Sequence, residues 1–184
     1  MSILYRAVLV VLVAGLALVL AACHNGPPDL STTETSASPA TSNPYNPVTG
    51  SFEPITAGEL AKAKQVGDCN VDSVNGQVAS NGAPLDHQGT GQFSGWLGDR
   101  ASGKTPPDFQ LVLTGASDYA VKGTTGASRP DVASATGMPG FATSGYQLNA
   151  NMSAVPVGSY GVTLVYQIKG EPMACATKVH VTVE

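Results

Sequence analysis

The chain has 184 residues, of which 42% are hydrophobic, 6% aromatic and only 12% charged. Thirteen acidic residues against nine Lys and Arg residues give a formal net charge of −4, which argues against nucleic-acid binding because that binding depends on cation–phosphate contacts. Sparse charge, sparse aromatics and 21 Gly with 13 Pro residues predict one β-rich domain with many turns, too small for two cores.

The N-terminus carries the pattern of a secretory leader. Arg6 precedes an apolar run over residues 7–22, about 16 residues long and shorter than the roughly 20 that span a bilayer. The run ends in Leu20-Ala21-Ala22-Cys23, which resembles the bacterial lipobox. The resemblance implies a signal peptide over residues 1–22 and a diacylglyceryl group on the thiol of Cys23, the first mature residue. Two or more acyl chains hold a protein stably at a membrane.

The residue after Cys23 bears on sorting. His24 stands where an aspartate usually retains a lipoprotein in the inner membrane, so we predict an outer-membrane anchor, with the domain facing the periplasm or the exterior. Two alternatives are an uncleaved membrane helix and an ordinary signal peptide cut elsewhere. Cleavage removes Arg6, which leaves eight cationic residues against thirteen acidic ones and a mature net charge near −5.

The next segments are predicted to be a tether and a short helix. Residues 23–54 are rich in Pro, Ser, Thr and Asn, and their apolar residues are isolated: Leu30, Tyr45, Val48 and Phe52. This composition predicts a disordered, flexible tether. Over residues 55–67, Thr56 and Glu59 have capping-box spacing and Gly67 is a stop signal, which predicts a helix.

Residues 68–184 alternate apolar and polar side chains as strands do. Seven segments show the pattern: Cys69–Val74, Phe93–Leu97, Phe109–Thr114, Tyr119–Lys122, Tyr146–Asn151, Tyr160–Ile168 and Cys175–Val183. We expect the Tyr119 segment to be a short partner of the Phe109 strand. Seven short strands at this spacing predict an all-β, antiparallel immunoglobulin-like β-sandwich.

The cysteines predict a disulfide. With Cys23 lipidated, Cys69 and Cys175 remain as a pair in an oxidising compartment. Cys175 shares a strand face with the apolar residues of the last strand, and Cys69 shares one with Val71. First and last strands of immunoglobulin-like sandwiches are commonly neighbours, so we predict a structural Cys69–Cys175 bridge. The alternative is two separate buried thiols.

One segment fits the phosphate-binding loop pattern G-x-x-x-x-G-K-[ST]: residues Gly98 to Thr105. That loop needs a following helix whose N-terminus faces the phosphates. Pro106 and Pro107 follow here instead, and then a predicted strand. We therefore predict a strand-to-strand loop and no nucleotide binding.

Other chemistry-bearing patterns are weak. His24 lies in the predicted tether, His87 in a loop and His180 on a polar strand face, with neither metal-ligand spacing nor a serine nucleophile elbow. Asp86 and His87 near Asp99 allow a metal site on paper, but surface solvation is the favoured interpretation. We predict no catalytic residue, no cofactor and no metal.

Three motifs occur in order: Gly95-Trp96, then Arg129-Pro130-Asp131-Val132, then Gly145-Tyr146. Together they resemble an uncharacterised proteobacterial immunoglobulin-like domain with a Gly-Trp strand, an Arg-Pro-Asp-Val loop and a Gly-Tyr strand, over roughly residues 69–184. The resemblance implies small lipoproteins and β-modules appended to membrane-associated enzymes of surface-polysaccharide assembly. It implies no particular activity.

Two interpretations of these motif residues stay open. Arg129 clamps a loop through Asp131 or Asp108 while Trp96 fills the core, or Trp96, Arg129 and Asp131 form a ligand-facing patch, since Trp and Arg suit carbohydrate recognition. The favoured function is a non-enzymatic binding or structural module of the cell envelope, with an envelope protein or polysaccharide as partner. The alternative is an accessory domain that assists envelope polysaccharide assembly or export.

Overall fold

Two β-sheets packed face to face make up most of the computed structural model, which describes residues 45–184. The predicted all-β sandwich is therefore confirmed. The predicted signal peptide, the lipid site at Cys23 and tether residues 23–44 lie outside the described residues. Within the described range, no helix is long and apolar enough to cross a membrane.

Twelve strands, two α-helices and one short 3-10 helix (Pro139–Phe141) occur among the described residues. In chain order the strands and α-helices are β1 (Val48–Ser51), β2 (Glu53–Ile55), α1 (Ala57–Ala61), β3 (Lys64–Gln65), β4 (Cys69–Val74), β5 (Gln77–Val78), β6 (Ala83–Leu85), β7 (Thr90–Leu97), β8 (Asp108–Thr114), β9 (Asp118–Thr124), α2 (Pro130–Thr136), β10 (Gly145–Asn151), β11 (Gly158–Ile168) and β12 (Glu171–Val183). Sheet A has the order β1-β10-β7-β4-β5, and sheet B the order β2-β9-β8-β11-β12-β3, with β6 also paired to β12.

All seven predicted strands are present, and β9 pairs with β8 as expected. The expected number of about seven was too low, because five further strands of two to four residues border the sheets. Strands this short show no measurable alternation. One had a local signal: Asn75 and Gly76, at φ 50° and 74°, make the tight turn between β4 and β5, and Asn-Gly is the preferred sequence for such a turn.

The core lies between the sheets, where alternate residues of the long strands point inward. Leu97 and Leu148 of sheet A and Leu111 and Leu164 of sheet B are almost completely buried there. The ring centroids of Phe109 on β8 and Tyr146 on β10 are 4.9 Å apart, and these two rings join the two sheets. This burial of apolar surface is the main force that holds the sandwich together.

The predicted tether of residues 23–54 is wrong for residues 45–54, which belong to the sandwich. β1 pairs in parallel with β10 of sheet A, and β2 pairs antiparallel with β9 of sheet B, so the chain changes sheets at Phe52. The Phe52 ring is 1% exposed and packs edge-on against Phe93. Phe52, which is an isolated apolar residue in the sequence, thus belongs to the hydrophobic core.

Tyr45 fixes the start of the described chain to both sheets. Its hydroxyl donates to the carbonyl oxygen of Thr124 on β9 at 2.8 Å and accepts the backbone N–H of Gln147 on β10 at 3.1 Å. The described part of the tether is therefore held from Tyr45 onward, and the predicted domain start at residue 68 is also too late.

The predicted helix over residues 55–67 is wrong in length, since α1 covers only Ala57–Ala61. Thr56 is the N-cap but makes no capping hydrogen bond through its side chain. The residues after α1 pair with β12 instead: Lys64 lies opposite Met173, and the Val66 N–H donates to the Ala174 carbonyl at 2.7 Å. Tertiary pairing thus overrides local helix propensity.

α1 belongs to a connection that crosses sheet B. β2 lies at one edge of that sheet and β3 at the opposite edge, so residues 56–63 must pass from one edge to the other. Ala120, Val112 and Thr163 form a row across the outer face of sheet B, and all three are buried although they point away from the core.

The predicted disulfide is present and links Cys69 to Cys175, with 6.1 Å between the Cα atoms. Cys69 lies on β4 of sheet A and Cys175 on β12 of sheet B, so the two strands are not neighbours in one sheet. The bridge instead joins sheet A to sheet B, through β4 and β12.

β12 has an open stretch on its outer side, between the residues that pair with β3 and those that pair with β6. Here the register with β11 shifts, so that Thr177 to Val179 face Val162 alone. The Thr177 hydroxyl donates to the Val162 carbonyl at 2.8 Å, and the Lys178 side chain is exposed. A bulge and a lysine are common devices that protect an edge from pairing with another chain.

Candidate functional site

The three motif residues Trp96, Arg129 and Asp131 lie at one end of the outer face of sheet A. Trp96 on β7 is directly opposite Gly145 on β10. A Cβ atom at Gly145 would lie 2.9 Å from Cγ of Arg129, so the Arg129 side chain passes closely over this glycine. Gly145 is therefore required for Arg129 to approach the sheet.

The Arg-Pro-Asp-Val segment is not a loop, which corrects the expectation. Arg129 is the N-cap of α2, Pro130 is in its first turn and Gly137 ends it with φ 69°. Proline suits the first helical position because its φ is already helical, and glycine adopts the left-handed conformation at the C-terminal end without strain. Asp131 in the first turn interacts favourably with the helix dipole.

Arg129 makes a three-residue ion-pair cluster with two carboxylates. Its Nη1 lies 2.6 Å from Oδ2 of Asp72, and its Nε and Nη2 lie 3.0 Å and 2.8 Å from Oδ1 and Oδ2 of Asp131. Asp131 is thus a partner as predicted, whereas the second partner is Asp72 on β4 and not Asp108. Asp72 lies within a predicted strand, but its approach to α2 depends on the tertiary fold.

The charges of this cluster stabilise one another. The hydrogen bonds from Arg129 lower the pKa of Asp131 to about 2, although Asp131 is exposed. The same hydrogen bonds, with those to Asp72, raise the pKa of Arg129. The carboxylates of Asp72 and Asp131 thereby engage all three guanidinium nitrogens of Arg129. The cluster is thus organised as a clamp between α2 and β4.

The expectation that Trp96 fills the core is wrong. Its neighbours Gly95 and Leu97 point inward and are buried, so Trp96 points outward and is only half-buried. Its ring centroid lies 6.3 Å from that of Phe141, which is fully buried. A Cβ atom at Gly98 would lie 2.4 Å from the Phe141 ring, so this glycine provides the space that Phe141 occupies.

Gly95 and Tyr146, from two of the motifs, form a packing pair. A Cβ atom at Gly95 would lie 2.1 Å from the Asn70 carbonyl oxygen and 2.7 Å from the Tyr146 hydroxyl oxygen. The Tyr146 hydroxyl donates to that carbonyl at 3.2 Å, and burial raises the pKa of Tyr146. The close contacts among the motif residues support the clamp interpretation over a motif devoted to ligand binding.

Beyond this cluster, the outer face of sheet A carries only uncharged polar side chains over four strands. We call this surface the amide–hydroxyl face, formed by Thr49, Ser51, Ser73, Thr90, Gln92, Ser94, Gln147, Asn149 and Asn151. The strand register places them in rows: Thr49 beside Asn149 and Gln92, for example, and Gln147 beside Ser94 and Ser73. The hydroxyls of Ser73 and Ser94 are 2.7 Å apart.

A shallow groove of about 350 Å³ runs over the amide–hydroxyl face, lined by Pro47, Gln92, Ser94, Gln147 and Asn149 among others. Val78, at the end of the Ser73 row, is 86% exposed. The half-buried Trp96 follows Ser94 on the same face of β7. The amide–hydroxyl face is thus uncharged and bordered by two apolar side chains, with the ion pairs of Arg129 at its Trp96 end.

A larger groove of about 630 Å³ lies at one end of sheet B. Its lining combines apolar residues such as Val165 and Pro107 with one carboxylate, Asp108, and one ammonium group, Lys122. It offers no cluster of catalytic groups.

The segment Gly98–Thr105 is a strand-to-strand loop, as predicted. Its backbone N–H groups are used within the protein: Asp99 N donates to the Lys104 carbonyl at 2.8 Å, and Ser102 N donates to the Asp99 carboxylate at 2.9 Å. Arg100 N donates to the carboxylate of Asp68 at 3.1 Å. In a phosphate-binding loop these groups would instead point at the ligand.

The described histidines are separated and serve structural contacts. Nδ1 of His87 lies 2.7 Å from the Val155 carbonyl oxygen, and Nδ1 of His180 lies 3.3 Å from Oδ1 of Asn81. Asp86 accepts the Gln88 N–H at 2.8 Å, and Asp99 is buried in its own loop. Among residues 45–184, no group of three or more His, Cys, Asp or Glu side chains is arranged to hold a metal ion.

No protein-family model matches the chain, and comparisons with curated proteins and with solved structures return no match. The resemblances to the bacterial lipobox and to the proteobacterial sandwich domain therefore stay predictions.

Replacing Arg129 by alanine is expected to lower the free energy of unfolding by about 1–3 kcal/mol, because it leaves Asp72 without its cation and removes a link from α2 to β4. Urea unfolding of the wild-type and variant proteins measures the difference. Lys122→Ala, at an exposed strand position, is the matched control and should change stability by less than about 0.5 kcal/mol. An Arg129→Ala protein as stable as the control would contradict the clamp.

The Asp131 ion pair is expected to make stability depend on acid pH. The pKa of Asp131 is lowered from 3.8 to about 2 in the folded protein, so its contribution is complete above about pH 4 and is lost as the pH falls towards about 2. Melting temperatures measured from pH 6 to pH 2 should therefore fall less for Asp131→Asn than for the wild type in that window. Parallel curves would show that the ion pair contributes nothing.

Proposed function

We propose that this chain is an outer-membrane-anchored envelope lipoprotein whose sandwich acts as a non-enzymatic binding or structural interaction module. The disulfide between Cys69 and Cys175 is the observation that carries the proposal. Such bridges form and persist in exported proteins and are rare in reducing compartments. Two of the three cysteines are thereby used inside the domain, which leaves Cys23, within the lipobox-like sequence, for the acyl chains.

The architecture supports presentation of a surface more than catalysis. The charged side chains of the motif, Arg129 and Asp131, are engaged with each other and with Asp72. The loop that resembles a phosphate site uses its N–H groups internally. The surface that the domain offers to a partner is the outer face of sheet A, since residues 56–63 cross the outer face of sheet B.

Mass spectrometry of the mature protein tests the anchor. We expect an N-terminal Cys23 carrying a diacylglyceryl group and co-fractionation with outer membranes. Cys23→Ser should shift the protein to the soluble fraction while the Cys69–Cys175 bridge persists. An unmodified Cys23 thiol, or an intact residue 1–22 segment, would overturn the lipoprotein assignment.

Affinity capture from detergent-solubilised envelopes tests the module. Reproducible capture of a glycan-assembly enzyme would favour the accessory role in polysaccharide assembly or export. Retention of glycan without such an enzyme would favour direct binding. Turnover of any envelope substrate by the purified protein would overturn both.

A further inference from the structure

We infer that the amide–hydroxyl face of sheet A is a binding surface for a neutral, hydroxyl-rich polymer chain, such as an uncharged polysaccharide. The inference rests on the proposed binding function and names its ligand class and surface. The observation that carries it is the composition of the face: beyond the end of the sheet where Trp96 and Asp72 lie, nine outward side chains on β1, β4, β7 and β10 are each a Ser, Thr, Asn or Gln.

The geometry of the face suits an extended ligand. Adjacent strands of a sheet are about 4.8 Å apart, and same-face residues along a strand are about 7 Å apart, so these side chains form a regular grid of donors and acceptors. Thr49, Asn149 and Gln92 make one row across three strands, and Ser51, Asn151 and Thr90 make the next. Amides and hydroxyls both donate and accept, which matches the mixed hydrogen bonding of sugar hydroxyls.

Charge complementarity selects a neutral ligand. Nucleic acids and polyanionic glycans require Lys or Arg contacts, and anionic membrane surfaces attract basic residues. The grid has none, and Arg129 of the adjoining cluster is already paired with Asp72 and Asp131. Protein interfaces are anchored by buried Trp, Tyr and Arg side chains, whereas the grid itself consists of small polar residues.

The border of the face adds apolar contacts. Trp96 is half-buried at one end, and the exposed Val78 lies beside Ser73 at the sheet edge. Apolar and aromatic side chains beside hydrogen-bonding groups suit the CH faces of sugar rings. The shallow groove of about 350 Å³ is lined by Pro47 together with Ser73, Gln92 and Ser94 of the same face.

The test is native affinity electrophoresis of the mature, detergent-solubilised chain through gels that contain a neutral β-glucan, a neutral mannan or anionic alginate. We expect retardation by at least one neutral polymer and none by alginate. Gln92→Glu/Gln147→Glu and Gln92→Lys/Gln147→Lys should both weaken binding about tenfold or more, because either sign of charge costs desolvation against a neutral ligand.

The matched control is Gln110→Glu/Gln167→Glu, which makes the same charge change at the groove of sheet B. It should bind like the wild type, and all variants should keep the wild-type melting temperature. The inference is overturned by an absence of retardation in both neutral polymers, by alginate binding that the lysine variant strengthens, or by loss of binding in the sheet B control. None of these outcomes affects the lipoprotein assignment, which the mass of the Cys23 peptide decides separately.

Discussion

Replacing Cys69 and Cys175 together by alanine is expected to lower the free energy of unfolding by about 3–5 kcal/mol. The two residues are 106 positions apart in the sequence, and a bridge that closes so long a loop removes much conformational freedom from the unfolded chain. Domains of this size are typically stable by only about 5–15 kcal/mol, so the loss is a large part of the total. Urea unfolding at equilibrium measures it.

The control for the disulfide is chemical. Wild-type protein unfolded in the presence of a reductant should show the same lowered stability as the double variant, while reductant should leave the double variant unchanged. Cys23→Ser should behave as wild type in both conditions. Equal stabilities with and without reductant would show that the bridge does not constrain the unfolded chain.

Replacing Phe52 by alanine is expected to cost about 3–5 kcal/mol, since it removes a fully buried ring and leaves a cavity where the chain passes from sheet A to sheet B. The lost ring also packs edge-on against Phe93. Thermal and urea unfolding check the size of the effect. The variant should also become sensitive to proteases over residues 45–55, because β1 and β2 flank the cavity.

A matched control for Phe52 is Val157→Ala, since Val157 is 67% exposed and its truncation should change stability by less than about 0.5 kcal/mol. Phe52→Leu should cost less than Phe52→Ala because most of the volume is kept. A Phe52→Ala protein as stable as wild type would restore the interpretation of residues 45–54 as tether.

The main part of the fold could be predicted because most positions on its long strands alternate between buried apolar and more exposed polar side chains. β12 shows why: Val179, Val181 and Val183 are buried and alternate with exposed His180 and partly exposed Thr182. The disulfide could be predicted because both cysteines lie on the apolar faces of their strands and the leader sequence indicates export to an oxidising compartment. That the disulfide joins two different sheets could not be predicted. Alternation along a strand shows which side chains face the core, but it does not show which sheet the strand belongs to.

The short elements could not be predicted because their stability is not local. β1 consists of four residues in a Pro- and Ser-rich stretch, and only its pairing with β10 and the burial of Phe52 hold it in place. α1 stops after Ala61 because the residues that follow are taken up by β12. In both cases the competing interactions are made with residues about a hundred positions away.

The candidate site was predicted in part. Arg129 and Asp131 are two positions apart, so their ion pair is visible in the sequence, whereas Asp72 joins them only through the fold. The prediction that Trp96 fills the core rested on the size of its side chain. The alternation with Leu97 indicates the outer face instead. The amide–hydroxyl face could not be predicted, because β1, β4, β7 and β10 are far apart in the chain and only the sheet order brings them together.

Tyr45 has a mechanical consequence under the proposed lipid anchor, which would hold the domain through the chain that precedes it. Its hydroxyl is bonded to Thr124 in sheet B and to Gln147 in sheet A, so tension arriving along the preceding chain is divided between both sheets. Because β1 then runs parallel to β10, that tension acts along the strand axis and loads its ladder of hydrogen bonds together. A pull through residue 45 would therefore load the hydrogen bonds between β1 and β10 together and not one at a time.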